Sequence, residues 1–282
     1  MPYVTKLPDK IPYLNETDCR ALEPTRRDYK SQGLGLGYVP RKEQILTPEQ
    51  AQFCAPMPAA DLIPRSEWRA LIEMKDRDES WLDQLRAAQK IKTLSQGSTN
   101  YCWMFGSVNA MRVLAASHGY NWNDLCPTSA AVRVKNFRNN GGNTFDAIPH
   151  LAKYGCSTTK TYPLNKISRA LDTQESQQEA LRYRLLEWWE LKGNSFDHAA
   201  SSILRNKPVI LGLMWWSHMV LGLRLVATNN GYGILIENSH GSSYGDDGLA
   251  VLEERRSTAF DQASPRVVTH ADMSAVNVRR TI

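Results

Sequence analysis

The sequence lacks several features that define common classes of protein. It has five cysteines in 282 residues, an odd number without a C-x-x-C pair. This argues against a disulfide framework and indicates free thiols in a reducing compartment. No apolar run is long enough to cross a membrane, and the first residues contain no apolar segment typical of a secretory signal. We therefore expect neither secretion nor a membrane partner.

The charge of the chain argues against a protein that mainly binds nucleic acid. The formal net charge is +5, and charged residues make up 22% of the sequence without a long run of lysine or arginine. There is thus no strong signal for nucleic-acid binding. Hydrophobic residues make up 42%, which is enough to build a core.

The first 60 residues differ in composition from the rest. Prolines are concentrated there, and glycine alternates with leucine at Gly33, Gly35 and Gly37. These glycines lack the G-x-G-x-x-G spacing of a dinucleotide site. A short helix is predicted after Thr47, which can form a capping box with Gln50. We interpret residues 1–60 as an extended arm that needs a surface to lie on, residues 61–255 as the main domain, and residues 256–282 as a C-terminal tail.

Periodicity predicts helices first and strands afterwards in the main domain. Apolar residues at helical spacing indicate helices over 74–93, Cys102 to about Ser117, Thr144 to Tyr154, 172–185, and Phe196 to Arg205. Runs rich in valine, isoleucine and leucine then indicate antiparallel strands at 209–214, 218–227, 232–237 and 248–253. This order predicts an α+β domain with two lobes.

Cys102 opens the most strongly predicted helix. A lone cysteine is more often an inert small apolar residue. At the first turn of a helix, however, the helix dipole lowers the pKa of a thiol and favours the thiolate. A nucleophilic thiolate also needs a proton partner, usually histidine, and a group that orients the imidazole.

The residues around Cys102 carry a resemblance to a known family. The segment Q-G-S-T-N-Y-C-W-M-F, from Gln96 to Phe105, resembles the nucleophile signature of papain-like cysteine peptidases, in which a glutamine precedes the cysteine by six positions. Three further blocks follow in the order of the family: a glycine pair with a later Tyr-Pro, a histidine after a Pro-Val strand, and an Asn-Ser block. They lie at Asn140 to Asn143 with Tyr162-Pro163, at Ser217-His218, and at Glu237 to Gly241 with Tyr244. The similarity spans about residues 62–255.

The resemblance implies a fold, an activity and a set of roles. The implied fold is the papain-like two-lobed fold, with a helical lobe followed by an antiparallel sheet or barrel lobe. The implied activity is cysteine-type hydrolysis of a peptide or protein substrate, without a cofactor or a metal. In the catalytic group, Cys102 attacks, His218 transfers the proton, Asn238 orients His218, and Gln96 binds the oxyanion. Substrate-binding roles fall to Gly142, Trp103 and Tyr244.

Several departures from the family keep a second hypothesis open. His240 stands where the family has a tryptophan that covers the histidine–asparagine contact, and Met104 replaces a small residue. The arm also lacks the helical motif of a long inhibitory propeptide, so activation by its removal is not expected. The alternative is a catalytically weak or inactive component of a larger assembly such as a virus particle, contacted through residues 1–60 and 256–282. Either hypothesis predicts an intracellular or virion-associated location.

Overall fold

The fold is seen in a computed structural model, which describes residues 3–268. The α-helices in this range are α1 (Glu16–Ala21), α2 (Pro48–Ala51), α3 (Arg65–Arg77), α4 (Leu82–Ala88), α5 (Cys102–Ser117), α6 (Pro127–Val134), α7 (Thr144–Lys153), α8 (Gln174–Ala180), α9 (Phe196–Leu204) and α10 (Glu254–Ser257). The strands are β1 (Tyr13–Leu14), β2 (Cys54–Pro56), β3 (Leu185–Leu191), β4 (Val209–Leu213), β5 (His218–Thr228), β6 (Gly231–Glu237), β7 (Leu249–Glu253) and β8 (Asp261–Val268).

All of these strands join one sheet. Their order across the sheet is β1-β7-β6-β5-β4-β8-β3-β2. The neighbours from β7 through to β3 pair antiparallel, and the short edge strands β1 and β2 pair parallel. The α+β class expected from the sequence is confirmed.

Helix α5 lies at the centre of the molecule. Its residues are buried without a break from Cys102 to Ala116, as expected for a helix that is apolar around most of its circumference. One apolar cluster surrounds α5 together with α6 and α7. A second cluster packs α3 and α9 against the sheet. These two clusters are the cores of the two lobes.

Two predicted helices have different bounds in the structure. The pattern over 74–93 belongs to the end of α3 and to α4, because the chain turns between them at Glu79, whose φ is +49°. The predicted helix over 172–185 is only α8, since Leu185 already begins β3. In β3, Trp188 and Trp189 are both buried between flanking strands.

The proposed arm and tail both contribute strands to the sheet. Strands β1 and β2 come from the first 60 residues, and β8 lies between β4 and β3. The division of the chain at 60 and 255 stays a prediction, and residues 269–282 lie outside the described residues. No helix between residues 3 and 268 has the length and apolar character needed to span a membrane.

Candidate active site

Cys102 is the first residue of α5 and is completely buried. The helix N-terminus favours a thiolate at this position, but burial is the larger effect. Burial raises the pKa of the Cys102 thiol to about 12, and the backbone N–H groups of Met219 and Trp103 offset only part of that rise. In this closed arrangement Cys102 is a neutral thiol, contrary to the expectation from its helix position.

His218 and Asn238 meet at the ends of neighbouring strands. His218 begins β5, Asn238 directly follows β6, and His218 Nε2 lies 2.8 Å from Asn238 Oδ1. The other ring nitrogen, His218 Nδ1, is buried and has no hydrogen-bond partner in the part of the chain that the structure describes. Burial and, next, the neighbouring His240 hold the pKa of His218 well below its usual value. The imidazole is therefore neutral and has one open nitrogen.

Met219 connects the cysteine and the histidine. It follows His218 in the chain, and its backbone N–H donates a hydrogen bond to the Cys102 sulfur. No hydrogen bond joins Cys102 to His218 in this arrangement, because His218 Nδ1 has no partner among the described residues. The structure thus places the two side chains at one site without pairing them.

A buried ion pair fixes the strand end that carries Asn238. Arg86 Nε donates to Glu237 Oε2 at 2.7 Å, and both side chains are almost completely buried. Asn109 of α5 donates to the other carboxylate oxygen at 2.9 Å. Helices α4 and α5 are therefore tied to β6 one residue before Asn238.

Aromatic rings enclose the imidazole. The His240 ring stacks on the His218 ring with centroids 4.5 Å apart, and the Trp216 ring lies 5.1 Å away. Trp216 Nε1 donates to the hydroxyl of Tyr29, an arm residue, at 2.6 Å. His240 is smaller than the tryptophan of the family, yet His218 is 0% exposed, because the arm and Trp216 complete the cover.

Gln96 is buried, and internal partners use its whole amide. Its Nε2 donates to the carbonyl oxygens of Thr99 at 2.7 Å and Gly35 at 3.1 Å. Its Oε1 accepts from the Ser239 hydroxyl at 2.6 Å. Since an amide nitrogen has two hydrogens, Gln96 has no free donor for an oxyanion in this arrangement.

The arm crosses the site between the two lobes through residues 33–39, which we call the cleft segment. On the helical lobe, Gly35 N donates to the carbonyl of Gly97 at 2.7 Å. On the sheet lobe, the N–H groups of Gly37 and Tyr38 both donate to the carbonyl of Ser217, at 3.2 and 3.1 Å. The cleft segment therefore makes main-chain hydrogen bonds to both walls.

The alternating glycines explain how the cleft segment fits. A Cβ atom at Gly35 would lie 1.9 Å from the Thr99 carbonyl oxygen, and one at Gly37 would lie 2.2 Å from that of Asn100. Leu34 and Leu36 are partly buried against the second apolar cluster. The glycine side of this two-residue repeat thus permits close approach to backbone, and the leucines contribute the apolar contacts.

Gly142, a predicted substrate-binding residue, pairs with the cleft segment. Its N–H donates to the Gly37 carbonyl, and its carbonyl accepts from Val39 N–H, both at 2.9 Å. A Cβ atom at Gly142 would lie 2.8 Å from Asp146 Oδ2. The main chain predicted to bind substrate is thus occupied by the arm.

The other two predicted substrate-binding residues are covered in this arrangement. Trp103 is fully buried, and its Nε1 donates to the Asn100 carbonyl at 3.1 Å. Tyr244 is half-buried, its ring lies 6.4 Å from that of His240, and its hydroxyl has no hydrogen-bond partner within residues 3–268. Burial raises the pKa of Tyr244. The substrate roles of both residues stay predictions.

Three residues that complete the site were not predicted as site residues. Ser239 fixes the Gln96 amide, Ser217 binds the cleft segment, and the carbonyl of Gly35 accepts from both Gln96 and His240. The repeat of alternate glycines was a usable signal for Gly35, because only residues without side chains let two main chains approach so closely. The two serines lie inside the histidine and Asn-Ser blocks, but the blocks do not predict these hydrogen bonds.

Comparison with solved structures identifies the fold. No family model matches the sequence, and a search of curated proteins gives no match. Xylellain, a cysteine protease from Xylella fastidiosa, superimposes with a TM-score of 0.58 at 14% identity over 84% of this chain and 97% of that chain. The bromelain protease from Ananas comosus, in complex with the E64 inhibitor, gives 0.54 at 14% identity over 65% and 97%.

Two further similar structures contain more than the matched region. The ragweed allergen Amb a 11, a cysteine protease in its proform, gives a TM-score of 0.56 at 16% identity over 64% of each chain. Procathepsin L 3 of the Tenebrio molitor larval midgut gives 0.54 at 16% identity over 62% of this chain and 66% of that chain. The chain thus spans just under two thirds of each.

These similarities define the class of the molecule. The chain has the papain-like cysteine peptidase fold, as the sequence blocks predict. Identities of 14–16% establish the fold alone, because one fold can carry different activities. The chemistry has to be argued from the side chains at the site.

Proposed function

We propose that this protein is a cysteine-type peptidase, a thiol hydrolase of peptide or amide bonds, that is latent while its cleft segment is in place. The observation that carries the proposal is the state of His218. Its Nε2 is fixed by Asn238 at 2.8 Å, its Nδ1 is open, and the backbone N–H of the next residue, Met219, contacts the Cys102 sulfur. An oriented imidazole with one open nitrogen is what a thiol nucleophile requires.

The proposed reaction begins when the cleft segment leaves the site. His218 Nδ1 takes the proton of the Cys102 thiol, and the resulting thiolate attacks the carbonyl carbon of the substrate. Gln96 donates to the oxyanion, and the protonated imidazole then gives its proton to the leaving amine. Water, deprotonated by His218, hydrolyses the thioester, releases the acid and restores the thiol.

The contacts of the cleft segment account for the latency. The Gly35 carbonyl oxygen occupies a donor of Gln96, and Gly142 is paired with the main chain on either side of Tyr38. The arm therefore uses the groups that would bind a substrate. Two similar structures, Amb a 11 in its proform and procathepsin L 3, are by their names precursor forms. The proposal thus departs from the sequence-based expectation that activation does not occur by removal of the arm.

A substitution at Gly35 tests this proposal. In Gly35→Ala the new Cβ atom would meet the Thr99 carbonyl oxygen at 1.9 Å, so the cleft segment has to shift. The control is Lys30→Ala, an exposed residue that precedes the cleft segment. Both proteins, the unchanged chain, and G35A/H218A are incubated under reducing conditions with an epoxide or vinyl-sulfone thiol probe, and the label is located by mass spectrometry.

We expect G35A to label selectively at Cys102, with little labelling of the unchanged chain or of K30A. The label should disappear in G35A/H218A, because the thiolate depends on the imidazole. Residues Cys19, Cys54, Cys126 and Cys156 are buried and serve as internal controls. If folded G35A shows no preference for Cys102, even after proteolytic removal of the cleft segment, the proposed activity is wrong.

A folded G35A without preferential labelling of Cys102 would favour the alternative function, a structural or binding component that keeps the papain-like scaffold. Its supporting observation is that Cys102 and Gln96 are both 0% exposed and that the Gln96 amide is fully used. In such a protein, the arm and the residues from 256 onward would contact a larger assembly. A protease-protection difference between the isolated and assembled protein over residues 1–60 would support it.

A further inference from the structure

We infer that His240 is a positioning residue, which holds the Asn238 amide in the one orientation that leaves His218 Nδ1 unprotonated. The inference deepens the proposed function and rests on it, because an unprotonated Nδ1 matters only if His218 accepts the Cys102 proton. A chain of hydrogen bonds runs from the cleft segment through His240 and Asn238 to His218.

The first contact fixes the proton on His240. Its Nε2 lies 3.1 Å from the carbonyl oxygen of Gly35. A carbonyl oxygen can only accept a hydrogen bond, so His240 Nε2 must carry the hydrogen. Burial lowers the pKa of His240 to about 4, and the ring therefore has only this one proton near neutral pH. His240 Nδ1 is then an acceptor.

The second contact orients the amide. His240 Nδ1 lies 3.3 Å from the side-chain nitrogen of Asn238. Only the NH₂ end of an amide can donate to an acceptor, so Asn238 Nδ2 faces His240 and Asn238 Oδ1 faces His218. That oxygen accepts from His218 Nε2 at 2.8 Å. The proton of the neutral His218 ring is thus on Nε2, and Nδ1 keeps its lone pair.

The opposite orientation of the amide would disable the site. If the Asn238 amide turned by half a rotation, its NH₂ group would face His218 Nε2. That nitrogen would then have to be the acceptor, and the proton would move to Nδ1. An imidazole protonated at Nδ1 cannot take a proton from Cys102. The orientation of one amide therefore decides whether His218 can act as a base.

Main-chain pairing accounts for the position of His240. In the antiparallel pairing of β5 with β6, Leu221 lies opposite Glu237. Beyond that pair the chain leaves the ladder, and His240 forms an isolated antiparallel bridge with Ser95. Its ring stacks on that of His218 with an interplanar angle of 28°, and His240 is only 7% exposed. The strand end and the bridge to Ser95 thus hold His240 beside Asn238.

Nitrogen NMR of the histidine rings tests the inference. Protein labelled with ¹⁵N at histidine reports, from long-range ¹H–¹⁵N correlations, which ring nitrogen carries the proton. His218 is assigned with His218→Ala. Two variants are compared: His240→Gln, whose amide can both accept from Asn238 and donate to Gly35, and His240→Phe, which keeps a ring but has no acceptor.

We expect the unchanged protein and H240Q to show His218 protonated at Nε2, and H240F to show a mixture of the two tautomers. The tautomers are compared with Gly35 in place, because G35A would move the carbonyl to which His240 Nε2 donates. An Nδ1-protonated His218 in the unchanged protein overturns the inference without any variant. So does a folded H240F that keeps the Nε2 tautomer.

The tautomer measurement also separates the two proposals. It needs no catalysis, so the expected tautomers with an unreactive Cys102 in G35A would refute the peptidase and leave the positioning of Asn238 intact. A reactive Cys102 with an unchanged tautomer in H240F would refute the role of His240 and leave the peptidase intact.

Discussion

At the scale of single residues, the surroundings in the site change the state that the residue type alone would predict. A buried histidine on an apolar strand is usually a satisfied core residue, but His218 has one nitrogen fixed and the other open. The thiol of Cys102 shows the converse: its helix position favours ionisation, and burial reverses that preference. Under the proposed function, removal of the covering arm would make Cys102 reactive.

Gln96 gives a prediction at the residue scale. In the G35A background, Gln96→Ala removes the side-chain donor to the oxyanion. We expect kcat/KM on a peptide substrate to fall about 10²–10³-fold, the usual effect of losing one such donor. Probe labelling of Cys102 should fall less, since attack on an epoxide forms no oxyanion of this kind.

The control for this experiment is Gln89→Ala at the exposed end of α4, which should leave kcat/KM unchanged. An equal loss of kcat/KM in Q96A and Q89A, or no loss in Q96A, would mean that Gln96 does not bind the oxyanion. Its role would then be limited to the internal contacts with Thr99 and Ser239.

At the scale of elements, the position of the arm depends on contacts between residues far apart in the chain, which no local sequence pattern predicts. The Asp261 carboxylate at the start of β8 is 0% exposed and accepts from the Tyr38 hydroxyl at 2.8 Å and from the Arg41 backbone N–H at 3.0 Å. The Arg41 guanidinium donates to it at 2.8 Å and also to Glu190 at 2.7 Å. These contacts anchor the arm just after the cleft segment.

Asp261→Asn tests this anchor. The amide keeps the shape of the side chain but loses the charge that faces Arg41. A hydrogen bond to a charged group is worth about 1.5–3 kcal/mol, so we expect the cleft segment to open more often and Cys102 to label roughly 10- to 100-fold faster than in the unchanged protein.

The matched control is Asp78→Asn, which removes a carboxylate from the exposed pair with Arg77 and should leave the labelling rate unchanged. Equal rates in D261N and D78N would show that the anchor does not control access to the site. Limited proteolysis before residue 41 should change in parallel with labelling.

The whole molecule contains several histidines that burial keeps neutral. Burial lowers the pKa of His150 and of His240 from 6.5 to about 4, and that of His218 falls well below 6.5. Between pH 6.5 and 4 the unfolded chain therefore binds more protons than the folded protein. Its stability must decrease as the pH falls through this range.

We expect the free energy of unfolding to decrease between pH 7 and pH 4, by roughly 2–3 kcal/mol for each histidine shifted this far. Denaturant unfolding at several pH values measures it. His150→Phe, which lies outside the site, should reduce the pH dependence. Burial also lowers the pKa of His118, but that residue is exposed, so His118→Phe should reduce the pH dependence less. An identical pH dependence in H150F would contradict this assignment.

The sequence by itself determined the class of fold and predicted which residues carry the chemistry. Helical spacing located α5, runs of branched residues located β4 to β7, and the block from Gln96 to Phe105 indicated the nucleophile. These signals were readable because each one is local: a helix, a strand or a short motif is specified by residues near one another in the chain.

Only the tertiary structure decided whether those residues are available. The bounds of α3 and α4, the strands β3 and β8, and the path of the arm depend on pairing between distant residues. The same is true of the state of the site: the Gly35 carbonyl reaches Gln96 across 61 positions and His240 across 205. Hydrogen bonds and burial act across space, so the proposed latency and the inferred tautomer depend on segments that only folding brings together.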